Sequence, residues 1–137
     1  MEIELFSYCN RTCSFCPNHY VDRLSDNKIL PLKLFKKIIK ELVSHKYINY
    51  ISLSRYCEPL AFRDILDTRI AYIRKHLPKV RIVANTNGDY DYEGVDIDEL
   101  TVMDYDFKLQ KDELGPVSRS SRPFVVRNMR LGKINYR

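Results

Sequence analysis

The sequence predicts an α/β fold built from parallel βαβ units, and three observations predict it. Short alternating or apolar runs recur at 2–6, 50–54, 80–84 and 100–103. Two stretches with helical apolar spacing, 32–45 and 63–77, separate the first three runs. Proline closes two of the joins, at Pro17 and Pro78.

Glu2-Ile3-Glu4-Leu5-Phe6 alternates polar and apolar residues and predicts the first strand. The cysteine-rich segment follows at once, and 25–27 is polar and loop-like. In the first helix Leu34, Phe35, Ile38, Ile39, Leu42 and Val43 form the apolar stripe. Lys33, Lys36, Lys37 and Lys40 lie opposite and read as a solvated face. Residues 50–54 give the second strand. The second helix turns Ile65, Leu66, Ile70, Ile73 and Leu77 inward. Residues 80–84 and 100–103 give the third and fourth strands, joined through right-handed crossovers where helices intervene. The link at 89–99 is too short and acidic for a crossover helix and holds at most one or two turns.

Beyond Asp106 the pattern decays. Residues 108–114 suggest a short helix stopped by Gly115-Pro116, and 124–126 suggest one more strand. Arg119, Arg122, Arg127, Arg130, Lys133 and Arg137 make the end basic. The chain therefore divides into a partial core, 1–107, and a basic C-terminal tail, 108–137, packing on or near it. Phe124 and Tyr136 interleave with these bases as in nucleic-acid or acidic-peptide contacts. No nucleic-acid module surrounds them, and a solvated tail is the simpler reading.

The length of 137 residues suits one domain with one core. With 45% hydrophobic and 30% charged residues the chain is globular rather than disordered. No apolar run approaches the roughly 18 residues of a membrane helix. Glu2 and Glu4 stand where an export signal carries bases, so a cytoplasmic protein without membrane attachment is expected. The net charge of +5 permits RNA, an acidic peptide or a phosphorylated substrate without choosing among them.

Cys9, Cys13 and Cys16 lie close together and Cys57 stands apart. Closely spaced thiols without an export signal point to metal ligation rather than disulfides. A zinc site usually needs four N or S ligands, often as two separated pairs. Three local thiolates on an iron–sulfur cluster leave one iron without a protein ligand, the open position that catalysis requires. The loop also follows a first strand, and parallel α/β folds gather ligands at the C-terminal strand ends.

Cys9-Asn10-Arg11-Thr12-Cys13-Ser14-Phe15-Cys16 after a first strand resembles the CxxxCxxC motif of the radical S-adenosylmethionine (radical SAM) superfamily. The resemblance implies a [4Fe-4S] cluster on the three cysteines, with SAM chelating the fourth iron. It implies reductive cleavage of SAM to methionine and a 5′-deoxyadenosyl radical, which abstracts hydrogen from substrate. Phe15 matches the family's aromatic residue beside the adenine. Ser54-Arg55-Tyr56-Cys57-Glu58-Pro59-Leu60 is similar to the family's stretch at the end of the second strand. That likeness assigns Tyr56, Cys57, Glu58 and Pro59 to SAM, with Glu58 accepting from its amino group. Asn85-Thr86-Asn87-Gly88 resembles the Thr-Asn-Gly that ends the third strand, and Asp104 is placed like the polar contact to the ribose.

The resemblance is to the core of the peptide- and cofactor-maturing members, without a SPASM extension, so no auxiliary cluster is expected. It implies a truncated partial (β/α) TIM-like barrel with about four parallel strands, given the residues a full barrel takes. The partners implied are a reductant such as flavodoxin or ferredoxin and a peptide or other macromolecular substrate. An open barrel encloses a small ligand poorly. Self-association or a partner chain would cover the open edges.

Other readings stand beside this one. Cys57 occupies a position where the family often has glycine. It reads as an inert small side chain, as a fourth thiolate closing the cluster, or as the fourth ligand of a zinc fold. The alternative function is an iron–sulfur binding or electron-transfer module, or a split-barrel subunit inactive without a partner. His19, His45 and His76 read as structural.

Overall fold

The computed structural model describes residues 1–20 and 27–103, together with the backbone of 125–128. In chain order these form a short 3-10 helix Pro17–Tyr20, α1 Leu32–Ser44, β1 Tyr50–Ser52, a second 3-10 helix Pro59–Phe62, α2 Arg63–His76, β2 Arg81–Thr86, β3 Glu99–Val102 and β4 Val125–Asn128. Among the described residues the strands form one parallel sheet in the order β1-β2-β3-β4. The register pairs Ile51 with Ile82, Ala84 with Leu100, and Thr86 with Val102. Strand order follows chain order, as in the wall of an open barrel.

The expected first strand shrinks to a single bridge. Glu2 pairs in parallel with Ser52, through Ile3 N to Ser52 O at 2.8 Å and Ser52 N to Met1 O at 2.8 Å. β1 is only three residues long, so it offers little ladder for a longer partner. Leu5 and Ser7 pair instead with Leu30 and Lys28. Ile3, Leu5 and Phe6 are nevertheless all buried. The wall therefore gains its fourth strand at the other end, at 125–128. The expected helix at 108–114 and the rest of the basic tail lie outside the described residues.

α1 buries a narrower stripe than its sequence suggests. Phe35, Ile39 and Leu42 are buried, while Leu34 and Val43 stay 46% and 42% exposed. The helix ends in a 6→1, 5→2 hydrogen-bond pair: Tyr47 N reaches Leu42 O and Lys46 N reaches Val43 O, with Lys46 at φ 51°. α2 buries Leu66, Ile70 and Ile73. These join Ile51, Leu53, Ile82, Ala84, Leu100 and Val102 in one core. Each of the Leu, Ile and Val side chains contributes about 1.5–3 kcal/mol on leaving water. On the opposite face Tyr50, Arg81 and Asn85 are exposed and Val83 is half-buried, and Arg81 pairs with Glu99 at 2.8 Å.

The link from β2 to β3 contains no helix; it is carried by turns and side-chain ties. Arg74 of α2 binds Asp96 Oδ2 at 3.2 Å and Asp98 Oδ2 at 2.8 Å, and Asp98 accepts from Ile82 N at 2.7 Å. No helix among the described residues is long and apolar enough to cross a membrane.

Candidate functional site

Three loops meet beyond the C-terminal ends of β1 and β2. The cysteine loop is wound locally by Cys16 N to Cys13 O and His19 N to Cys16 O, each 2.9 Å. Pro17 opens the following 3-10 helix, where its missing N–H costs nothing. Two bonds moor this loop to the one after β1. Glu58 N donates to Tyr8 O at 2.9 Å, and the buried Asn18 donates Nδ2 to Tyr56 O at 2.6 Å. Two side chains moor it to the turn after β2. Asn10 donates to Asp89 Oδ2 at 2.8 Å and accepts from Asn87 Nδ2 at 2.8 Å, and Arg11 forms a two-pronged ion pair with Asp89.

Glu58 joins the second and third loops. It is 2% exposed, and its carboxylate accepts from Thr86 Oγ1 at 2.6 Å, Asn87 N at 2.8 Å and Leu60 N at 3.2 Å. Burial pushes its carboxyl above the ordinary value, and these three donors partly offset the shift. Asn85 N is held by Ser54 Oγ at 2.7 Å. Beyond it, Asp89 N donates to Asn87 Oδ1 at 3.0 Å, closing a side-chain-capped turn around Gly88 at φ 79°.

A cavity of about 90 Å³ lies between the loops. Its walls include Cys9, Cys13, Cys16, Tyr56, Cys57, Glu58, Asn85, Thr86 and Asn87. All nine were expected from the sequence. Arg11, Asn18, Arg55 and Met103 complete the lining and were not. Asn10 and Asp89, which clamp the cysteine loop, were also missed. The opposite charges beside two separate motifs are the only trace of that clamp in the sequence. Three expected residues lie off the cavity lining. Phe15 is 63% exposed, Pro59 is buried at the start of its 3-10 helix, and Gly88 shapes the turn from behind. Asp104 lies outside the described residues. His19 packs edge-on to Tyr20 rather than lining the cavity.

A larger depression, about 590 Å³, runs along the outer face of α1 between Pro31, Leu34 and Lys33, Lys36, Lys37 and Lys40. It contains neither thiol nor carboxylate, so here chemistry locates the site and volume does not.

The donor set suits an iron–sulfur cluster. None of the four cysteines is in a disulfide. Cys9, Cys13 and Cys16 are half-buried around one cavity. A cuboidal cluster binds each thiolate through a different iron, and the three thiols on one cavity wall supply three such positions. Cys57 differs from the other three. It is 7% exposed, and burial pushes its thiol up to about 12. Its Sγ lies 4.0 Å from Leu53 O. Burial thus favours the protonated thiol at this wall of the cavity. Burial also raises Cys9, against a backbone hydrogen bond from Arg11.

A parallel partial barrel carrying three spaced thiols at its strand mouths defines a cofactor-binding α/β protein. Residues 3–101 match the radical SAM superfamily, and the chain belongs to that superfamily, whose cofactors are a [4Fe-4S] cluster and SAM. It is 34% identical over 90 residues to the S-adenosyl-L-methionine-dependent 2-deoxy-scyllo-inosamine dehydrogenase of Niallia circulans, covering 66% of this chain and 35% of that protein. Its fold is similar to that of BtrN crystallised with AdoMet and 2-DOIA, with a TM-score of 0.70 and 24% identity over 93% of this chain and 55% of that one. BtrN in an open conformation matches with a TM-score of 0.68 and 25% identity, over 54% of its length. The chain thus spans about a third of the dehydrogenase and about half of the crystallised chains. The partial barrel expected from the sequence is the observed architecture.

Proposed function

We propose that Cys9, Cys13 and Cys16 hold a [4Fe-4S] cluster, and that the 85–88 turn and the Tyr56–Pro59 stretch receive SAM beside it. The observation that carries this reading is that three thiols and the Glu58–Thr86–Asn87 unit line one cavity. When bound and reduced, the cluster supplies one electron that breaks the SAM C5′–S bond, releasing methionine and a 5′-deoxyadenosyl radical that takes a hydrogen atom from substrate. The electron comes from an external reductant of the flavodoxin or ferredoxin kind.

The chain's own residues act by placement. Glu58, already accepting three protein donors, holds the Thr86-Asn87 turn open towards the cavity and keeps acceptor capacity for the SAM ammonium. By the family resemblance, Asp104 is proposed as the ribose contact and the exposed Phe15 as the adenine neighbour.

A peptide or other macromolecule is the proposed substrate, because an open barrel wall encloses a small ligand poorly. The similarity to a 2-deoxy-scyllo-inosamine dehydrogenase supports a second reading, oxidation of a small amino-polyol alcohol. Anaerobic reconstitution followed by SAM and dithionite tests the common step. Formation of 5′-deoxyadenosine is expected. A fully loaded cluster that yields none supports the electron-transfer or split-subunit alternative. Acceleration by 2-deoxy-scyllo-inosamine, and not by peptides, selects the second substrate class.

A further inference from the structure

The Cys9 backbone is held from both sides by residues that also hold the turn after β2. On one side Tyr8 O accepts from Glu58 N at 2.9 Å. On the other, Asn10 bonds both Asn87 and Asp89, each at 2.8 Å, and Arg11 pairs with Asp89. Glu58 in turn binds Asn87 N at 2.8 Å. The bonds close a ring running from residues 8–11 through Asp89 and Asn87 to Glu58 and back to Tyr8. Cys13 and Cys16 sit on the local turn that leads to Pro17–Tyr20, where Asn18 Nδ2 reaches Tyr56 O at 2.6 Å.

We infer that Asn10 and Asp89 are positioning residues that lock the Cys9 thiolate to the 86–89 turn, so that one rigid unit sets both the cluster and the SAM-binding turn. This rests on the cluster-and-SAM reading above. Residues that orient metal ligands through hydrogen bonds typically change affinity or activity 10–100-fold when removed. Here the Asn10 amide is suited to the task because it donates to one partner and accepts from the other, which neither Ala nor Asp at position 10 does alone.

The test compares reconstituted wild type, Asn10→Ala, Asp89→Asn, and the exchanged pair Asn10→Asp with Asp89→Asn. Iron and sulfide content, SAM dissociation constant and the EPR spectrum of the reduced cluster with and without SAM are measured. Asn10→Ala is expected to weaken SAM binding or cluster retention by about 10–100-fold and to alter the SAM-induced EPR change. The exchanged pair, which again sets an amide donor against a carboxylate between positions 10 and 89, is expected to bind SAM and retain iron better than Asp89→Asn alone, although the Arg11 ion pair stays lost. If Asn10→Ala and Asp89→Asn match wild type in EPR and SAM affinity, and differ only in melting temperature, the contact is structural and the inference is overturned. If Asn10→Ala does not fold, the exchanged pair against Asp89→Asn decides by the same spectra. A wild type whose EPR spectrum ignores SAM overturns the proposed function instead, and is told apart by that control.

Discussion

The Thr86 hydroxyl donates to Glu58 Oε1 at 2.6 Å across two strand ends, in a site where Glu58 is almost wholly withdrawn from water. Hydrogen bonds to charged acceptors contribute about 1.5–3 kcal/mol. Thr86→Val keeps the shape, removes the donor and leaves the carboxylate less satisfied. Equilibrium denaturation is expected to show a loss of that size, about 1.5–3 kcal/mol. A loss below about 0.5 kcal/mol, the effect of an ordinary surface substitution, would show that the carboxylate does not depend on this bond.

Glu58 also makes stability depend on pH, and the sign follows from its raised pKa. Burial holds the folded carboxyl above its ordinary 4.5, so between the two values the folded state binds more protons than the unfolded one. Its contribution is fully present below 4.5 and is lost as pH rises through the folded value. Unfolding free energies of the cluster-free chain, measured upward from pH 4.5, should therefore carry a negative slope component that Glu58→Gln removes. Parallel profiles for the two proteins would be incompatible with a raised carboxyl.

How far this arrangement is legible in the sequence differs from part to part. β2 and both helices follow from apolar period, because Ile82 and Ala84 alternate on one face and Phe35, Ile39 and Leu42 recur on another. The strand at 2–6 does not, because its fate depends on the length of its partner β1, which no local pattern states. The cavity lining is largely legible because thiols, a carboxylate and an Asn-Thr-Asn-Gly turn each carry local chemistry. The clamp is not: Arg11 and Asp89 are 78 positions apart, and only the fold brings them together. Leu34 and Val43 fit a helical stripe and are still exposed, because the α1 surface that meets α2 and the sheet is narrower than the stripe.

Cys57 should behave as a wall residue and not as a ligand. With its thiol near 12 and its side chain in the core, it carries almost no thiolate at pH 8, whereas thiolate is the reactive form. Brief alkylation of the cluster-free chain at pH 8, read by peptide mass spectrometry, is expected to label Cys9, Cys13 and Cys16 well before Cys57. Cys57→Ser should leave the iron content and visible spectrum of the reconstituted protein unchanged, whereas Cys13→Ser should lower its iron. Loss of iron in Cys57→Ser would restore the fourth-thiolate reading.

Gly88 and Gly94 separate strain from crowding. Gly88 and Gly94 have φ values of 79° and 74°, so alanine at either meets the penalty of about 1–2 kcal/mol for an L-residue in that conformation. They differ in surroundings. A Cβ at Gly88 would come 3.0 Å from Val102 Cγ1, a buried strand residue, whereas one at Gly94 meets nothing within 4 Å. Val102 is held by its place in β3 opposite Thr86, so it has little freedom to yield. Gly94→Ala should therefore show the conformational penalty alone, and Gly88→Ala a larger one. Gly88→Ala should also displace Asn87 and Asp89, whose side chains clamp the cysteine loop, and so weaken iron retention; Gly94→Ala should not. Thermal melts and iron content measured side by side decide the matter, and equal losses in the two variants would mean that Val102 gives way.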